Sequence, residues 1–222
     1  MRALIVGNGE PPSRELFNAQ RMAMPDLLLC ADGGANTVRR YGAEPDVVVG
    51  DLDSASAETL GVLPADRQLR VDADNTGTDL NKVLTHAVSL GVREAVLLGV
   101  TGRRTDHTLW NLSLLKRFSQ QMRLRITDDY CHIYLLGEQS VTRFAVIVGQ
   151  RLSLSPLDGA VHGVTTEGLR WELTAAELVP GVRDGISNEV VQSPVSIEVR
   201  GPGHLLLITQ REGEEGGEIE LR

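Results

Sequence analysis

An α/β fold, in which a parallel-sheet domain precedes a smaller all-β sandwich, is predicted by three features of this 222-residue chain. Through roughly the first 125 residues, short apolar runs alternate with segments of helical periodicity, the mark of strands joined by helical crossovers. Beyond residue 130 the helical pattern gives way to short, partly alternating runs separated by Gly, Pro and polar turns, as in an antiparallel sandwich. Four Asp-bearing clusters in the first half each follow an apolar run. That is where an α/β sheet carries its chemistry, outside the carboxyl ends of its strands.

The elements follow in order. Strands are expected at residues 3–6, 27–31, 46–49, 68–71, 95–98 and 124–126. The clearest helix spans residues 78–90, with Leu80, Val83, Leu84, Ala87 and Val88 at helical spacing and Gly91 as the stop. Another starts near Asp106, with Leu109, Leu112 and Leu115 on one face. Asp79 and Asp106 fall in the first turns of these helices, where the positive end of the helix dipole stabilises a carboxylate. In the second half, strands are expected at 132–136, 141–148, 151–155, 190–199 and 205–209. Residues 174–178 suggest a short helical turn, and the acidic, Gly-rich stretch 212–218 an exposed hairpin tip or loose tail. The boundary falls near residues 127–135, giving domains 1–130 and 131–222.

Composition narrows the function. A formal charge of −8 argues against nonspecific binding to nucleic acid or an anionic membrane, because phosphates would be repelled. ATP, which arrives complexed with magnesium, is not excluded. No apolar stretch approaches the ~20 residues that span a bilayer, and the four-residue run before Gly7 is too short for a secretory signal. Two cysteines, Cys30 and Cys131, have neither metal-type spacing nor a disulfide framework. A cytoplasmic, reduced protein is expected.

Gly7-Asn8-Gly9 follows the first strand, but Pro12 stands where a dinucleotide fingerprint needs its third Gly, and no GxxxxGK[ST] loop occurs. A tight βα turn explains those glycines on its own. Asp32-Gly33-Gly34-Ala35-Asn36 lets backbone approach a ligand closely and leaves amides free for phosphate or ribose, although a bare Asp-Gly-Gly is also an ordinary turn. Gly50-Asp51-Leu52-Asp53-Ser54 places two carboxylates near one point, able to share a magnesium ion; helix capping by Asp53 or Ser54 is the plainer alternative. Asp79 and Lys82, three residues apart on one helix, form at least a surface ion pair. Asp72, Asp74 and Asn75 add oxygen ligands nearby. Arg103-Arg104-Thr105-Asp106-His107 offers guanidinium groups suited to phosphate oxygens, with Asp106 a possible helix cap and His107 an orienting or stacking group. No His/Cys metal triad is visible.

The ordered succession of Asp-Gly-Gly-Ala-Asn, the element from Pro45-Asp46 to Ser54, Thr78-Asp79 with Lys82, and Gly102-Arg103-Arg104 with Asp106-His107 resembles the thiamine pyrophosphokinase family. Gly168-Leu169-Arg170-Trp171 and Gly185-Ile186-Ser187-Asn188-Glu189 resemble that family's later landmarks. The resemblance implies an ATP-binding α/β domain and a thiamine-binding, dimerising sandwich, with thiamine held at the subunit interface of a homodimer. The implied reaction transfers a diphosphoryl group from ATP to the hydroxyl of thiamine and releases AMP. By the same resemblance Asp51, Asp53 and Asp79 hold Mg2+. The catalytic set is these three with Lys82, Arg104 and Asp106, and the ATP contacts are Asp32, Gly33, Gly34, Asn36, Lys82, Arg104 and His107. Asn75, Trp171, Ser187 and Asn188 are the candidates for thiamine, with Trp171 equally placed as a sandwich core residue. Arg103 stands where the family motif has a second Gly. The rivals are diphosphoryl transfer to a hydroxymethyl-pterin, a non-catalytic binding module, and a hydrolase built on the same metal cluster.

Overall fold

In a computed structural model, residues 1–24, 26–72 and 77–211 are described. The chain divides into two compact units, Met1–Asp129 and Tyr130–Arg222. The first contains β1 (Arg2–Val6), α1 (Arg14–Ala23), β2 (Leu27–Ala31), α2 (Gly34–Arg40), β3 (Val47–Gly50), α3 (Ala57–Gly61), β4 (Gln68–Arg70), α4 (Asp79–Ser89), β5 (Glu94–Leu98), α5 (Thr105–Phe118) and β6 (Arg123–Thr127). Its six strands are parallel, in the order β6-β5-β1-β2-β3-β4.

Burial on both faces explains why these strands read as continuous apolar runs. Side chains alternate across a strand. Leu4, Val6, Leu28, Cys30, Val48, Val96 and Leu98 meet Leu16 and Phe17 of α1 and Ala35 and Val38 of α2 in one core cluster. Ala3, Ile5, Leu29, Val49 and Leu97 take the opposite parity and are as fully buried; α4 packs over β2 and β3. Strand order reverses between β1 and β5. The chain builds outward from β1 to β4, then returns through α4 to the far side of β1. Such a reversal opens a crevice beyond the carboxyl ends of the two central strands.

In α4 the expected face is the buried one, including Leu80, Val83, Leu84 and Ala87. Helix α5 departs from expectation. Its buried residues are Asn111, Leu114, Leu115 and Phe118, whereas Leu109 is 65% exposed and Trp110 43%. Apolar residues occur on more than one side of this helix, so leucine spacing alone does not identify the inner face. Neither Asp53 nor Ser54 caps α3: Ser56 does, accepting the Thr59 N–H at 3.1 Å. Nor is Asp106 the cap of α5, where Arg104 occupies that position.

The second unit contains two antiparallel sheets. One holds β7 (Cys131–Leu136), β9 (Arg151–Pro156), β12 (Gly185–Glu189) and β14 (Leu205–Gln210), in the order β12-β9-β14-β7. The other holds β8 (Ser140–Phe144), β10 (Val161–Glu167), β11 (Ala176–Leu178) and β13 (Val195–Val199), in the order β11-β10-β13-β8. Leu152, Leu154, Val161, Val164, Ile197 and Leu207 belong to their shared core. Several expectations change here, among them the strand expected at 141–148, which ends at Phe144. The run 190–199 keeps only its second half as a strand, β13, which begins after Ser193-Pro194, because Pro cannot donate to a ladder. Residues 176–178 form a strand, since Ala176 and Leu178 turn inward while Glu177 faces out. Strands β10 and β12 fell outside the sequence expectations. The stretch 212–218 lies outside the described residues.

The inner face of α5 can be tested directly. Leu114→Ala is expected to cost ~2–5 kcal/mol in chemical denaturation, and Leu109→Ala less than about 0.5 kcal/mol. Comparable losses would show that the helix face is assigned incorrectly.

Candidate active site

The crevice at the strand reversal is a cavity of about 380 Å³, lined by the loops after β1, β2 and β5 and by the starts of α4 and α5. Gly7 and Gly9 do more than make a turn. The Gly7, Gly9 and Glu10 N–H groups donate to the carbonyls of Leu98, Gly99 and Thr101, so the two loops run side by side beyond the sheet. A Cβ at Gly9 would stand 2.4 Å from the Thr101 oxygen, a contact no side chain could accommodate. Asn8 and Arg104 line the cavity, as do Thr78, Asp79, Arg103, His107 and Asn111.

Beside Asp32 and Asp79, both of which line this cavity, lies an acidic group. Among the described residues, Asp32, Asp51 and Asp79 each bring a carboxylate oxygen within 4.8 Å of the other two. Backbone sterics make this possible. A Cβ on Gly50 would stand 2.9 Å from the Asp32 Cβ and 3.2 Å from Asp79 Oδ1, so the absent side chain lets β2 and α4 deliver their carboxylates to one place. Asp32 itself sits at φ +42°. Its carboxyl is raised above the ordinary range chiefly by burial, with the Asp79 and Asp53 charges adding to the effect and the Ser54 and Ala55 amides opposing it.

Not every expected residue points to the same place. Asp53 lies outside the three-carboxylate group; its Oδ1 accepts the Ser54 hydroxyl at 2.9 Å. Lys82 is buried, and its ammonium donates to Asp79 Oδ1 at 2.9 Å and to the Val71 carbonyl at 3.0 Å. That is the environment of a charge that fixes a carboxylate. Arg104 and Asp106 are exposed and joined by two hydrogen bonds, Nε to Oδ1 at 3.1 Å and a second from Nη2 to Oδ2. The Arg104 bond is the main cause holding the Asp106 carboxyl down at about 2. Asn36 grips the loop after β3 through Ser54 and Ser56. Gly33 and Gly34 are buried at the start of α2: a Cβ on Gly34 would stand 2.2 Å from the Val6 carbonyl oxygen.

Arg103 has φ +51°, a conformation glycine adopts freely and other residues only at a cost. Its side chain lines the cavity and lies 3.9 Å from Glu10. Sequence reasoning missed Asn8, Thr78 and Asn111 as cavity residues. For Asn111 a signal existed: it stands four residues after His107 on one helix, hence on the same face.

In the second unit Trp171 is not a core residue; it is 58% exposed, with the Arg170 guanidinium 5.8 Å from its ring centre. Asn188 is buried and holds the Trp171 backbone at both ends, accepting its N–H at 3.1 Å and donating to its carbonyl at 2.8 Å. Ser187 is exposed at φ +61°, its N–H donating to Ser153 Oγ. Asn75 and Asp74 lie outside the described residues.

Gly50→Ala is the sharpest test of the acidic site. Its added methyl group should separate Asp32 from Asp79 and cost ~1–3 kcal/mol of stability, together with divalent-metal binding measured by calorimetry. Unchanged metal binding would contradict the role assigned to this close approach.

Comparison with known proteins agrees with the motif order. Residues 19–127 match the thiamin pyrophosphokinase catalytic domain, and residues 141–202 the thiamin pyrophosphokinase vitamin B1 binding domain. Thiamine pyrophosphokinase 1 of Oryza sativa subsp. japonica is 31% identical over 201 residues, covering 77% of this chain and 74% of the relative. Thiamine pyrophosphokinase of Bacillus subtilis is 28% identical over 172 residues, 75% of this chain and 79% of the relative. Crystal structures of thiamine pyrophosphokinases from B. subtilis and Geobacillus thermodenitrificans superpose with TM-scores of 0.81 and 0.80 at 23% and 25% identity. They cover 95% and 96% of this chain and 99% of each structure. By its matched domains and the extent of these likenesses, the chain belongs to the thiamine pyrophosphokinase family.

Proposed function

We propose that the acidic group beside the strand-reversal cavity is the magnesium and triphosphate site of the family reaction. The chain is an enzyme that transfers the diphosphoryl group of ATP to the hydroxyl of thiamine, giving thiamine diphosphate. The observation that carries the site assignment is the convergence of Asp32, Asp51 and Asp79 next to a cavity whose other wall bears Arg103, Arg104 and His107.

The donor set fits magnesium. It consists of hard carboxylate oxygens, gathered closely enough that their charges oppose one another until a cation joins them. Asp51 and Asp79 would hold the ion, with Asp32 beside them and Asp53 available from the same loop. Bound there, Mg2+ supplies Lewis-acid neutralisation of phosphate oxygens. The remaining work falls to the protein. Attack on a β-phosphorus needs positioning and electrostatic stabilisation more than covalent chemistry. Lys82 holds Asp79 in place. Arg104, aligned by Asp106, presents a planar fork to phosphate oxygens, and His107 stands one residue beyond on the same rim.

For the acceptor, Trp171 gives an exposed aromatic face suited to cationic thiamine, and Asn188 acts by fixing the Trp171 backbone. Ser187 is exposed and free to make a polar contact. We assign these residues to thiamine and, following the resemblance, infer a homodimer that completes the site. The match of this half to a vitamin B1 binding domain supports the assignment and favours thiamine over a pterin acceptor.

Incubation with ATP, Mg2+ and thiamine is expected to yield AMP and thiamine diphosphate in equal amounts by chromatography. ADP with thiamine monophosphate would overturn the mechanism, and turnover only with a hydroxymethyl-pterin would move the acceptor. Asp51→Ala should lose at least ~100-fold in kcat, as expected when charge stabilisation of a transferring phosphoryl group is removed, with its circular dichroism unchanged. Near-normal turnover would sink the metal assignment. Trp171→Ala should raise the KM for thiamine about tenfold, within the range of a partly desolvated cation–π contact, and leave that for ATP unaltered. A change confined to ATP would reverse the division of labour between the two units.

A further inference from the structure

Four hydrogen bonds join the beginning of α2 to the loop that carries Asp51 and Asp53. The Ser54 N–H donates to Asp32 Oδ2 at 3.0 Å, and the Ala55 N–H to Asp32 Oδ1 at 2.9 Å. Asn36 Nδ2 donates to the Ser54 carbonyl at 2.9 Å, while Asn36 Oδ1 accepts the Ser56 N–H at 2.9 Å. Three consecutive backbone units are therefore held by two side chains four residues apart. Within that loop Asp53, Ser54 and Ser56 are exposed, and Leu52 sits at φ +64°. A non-glycine residue in that region persists only where its surroundings hold it. Asn36 does not line the cavity among the described residues.

We propose that Asn36 is a positioning residue for the reaction: with Asp32 it clamps residues 54–56 and so sets where Asp51 and Asp53 stand relative to Asp79. The inference rests on reading the acidic group as the metal site. Its chemical content lies in the amide. One planar group supplies a donor for the Ser54 carbonyl and an acceptor for the Ser56 N–H, a pairing that an acceptor-only carboxylate of the same reach does not reproduce. The base of the clamp is firm, because Ala35 and Val38 on either side of Asn36 in α2 are buried in the sheet core. A contact that appears local to the turn thereby ties metal-ligand geometry to the rigid part of the fold.

Two variants and two readouts on the full-length protein test this. In metal-free Asn36→Ala, amide hydrogen exchange at Ser56 should accelerate at least tenfold. In Asn36→Asp, which keeps the acceptor for that N–H, it should stay near wild type. Titration with Mn2+ followed by electron paramagnetic resonance should show about tenfold weaker binding in Asn36→Ala. The KM for ATP at saturating metal should stay within about twofold, and excess Mg2+ should restore most of kcat. Unchanged exchange and Mn2+ affinity would overturn the proposal. So would normal Mn2+ affinity with a raised KM for ATP, which would make Asn36 a nucleotide contact. Asp51→Ala in the same titration separates the two readings. If it binds Mn2+ as wild type does, the metal assignment fails, and the exchange at Ser56 still decides whether the clamp exists.

Discussion

Crowding of like charge at the carboxyl edge of the sheet governs the chemistry of the first unit. Asp32, Asp51 and Asp79 come from three separate segments, yet their oxygens lie within 4.8 Å of one another. Each charged pair at that separation opposes the fold by on the order of a few kcal/mol at an intermediate dielectric. Several arrangements make the approach tolerable. Backbone amides of Ser54 and Ala55 satisfy Asp32, the buried Lys82 ammonium answers Asp79, and Gly50 withholds the side chain that would force the strands' cargo apart.

The sheet bears this load because its central strands are buried on both faces, leaving little freedom to relax. The same rigidity supports three non-glycine residues at positive φ around the site, Asp32, Leu52 and Arg103. Each follows a strand or opens a turn at the carboxyl edge of the sheet, and strain of this kind is tolerated where surrounding contacts over-determine it. The second unit contributes differently. Its sandwich buries an alternating core and turns Trp171 and Ile186 outward, with Asn188 bracing the exposed ring from below through its backbone.

Periodicity and motif order made much of this legible. All six parallel strands and helix α4 fall within a residue or two of expectation, because an apolar run bounded by turn residues leaves little choice when both faces are covered. Local pattern failed where two structures share one signature. The alternation at residues 176–178 suits a strand and a helical turn about equally, and only pairing with β10 decides for the strand. Helix α5 carries leucines on several sides, so its inner face depended on what it packs against.

For the site, the chain's own letters determined the residue types, their order and their placement after strands or at helix starts. No single cluster pointed to a reaction; it was their ordered resemblance to the thiamine pyrophosphokinase motifs that implied diphosphoryl transfer. Spacing along the chain does not encode distance across it. Only the tertiary structure decided that Asp32 stands with Asp51 and Asp79, that Lys82 is buried and also donates to the Val71 carbonyl, that Asn36 holds backbone, and that Trp171 is exposed. The physical reason is that each of those facts depends on how segments distant in sequence are brought together in the fold. Such contacts depend on which neighbour a side chain meets, and that neighbour is chosen by the fold as a whole.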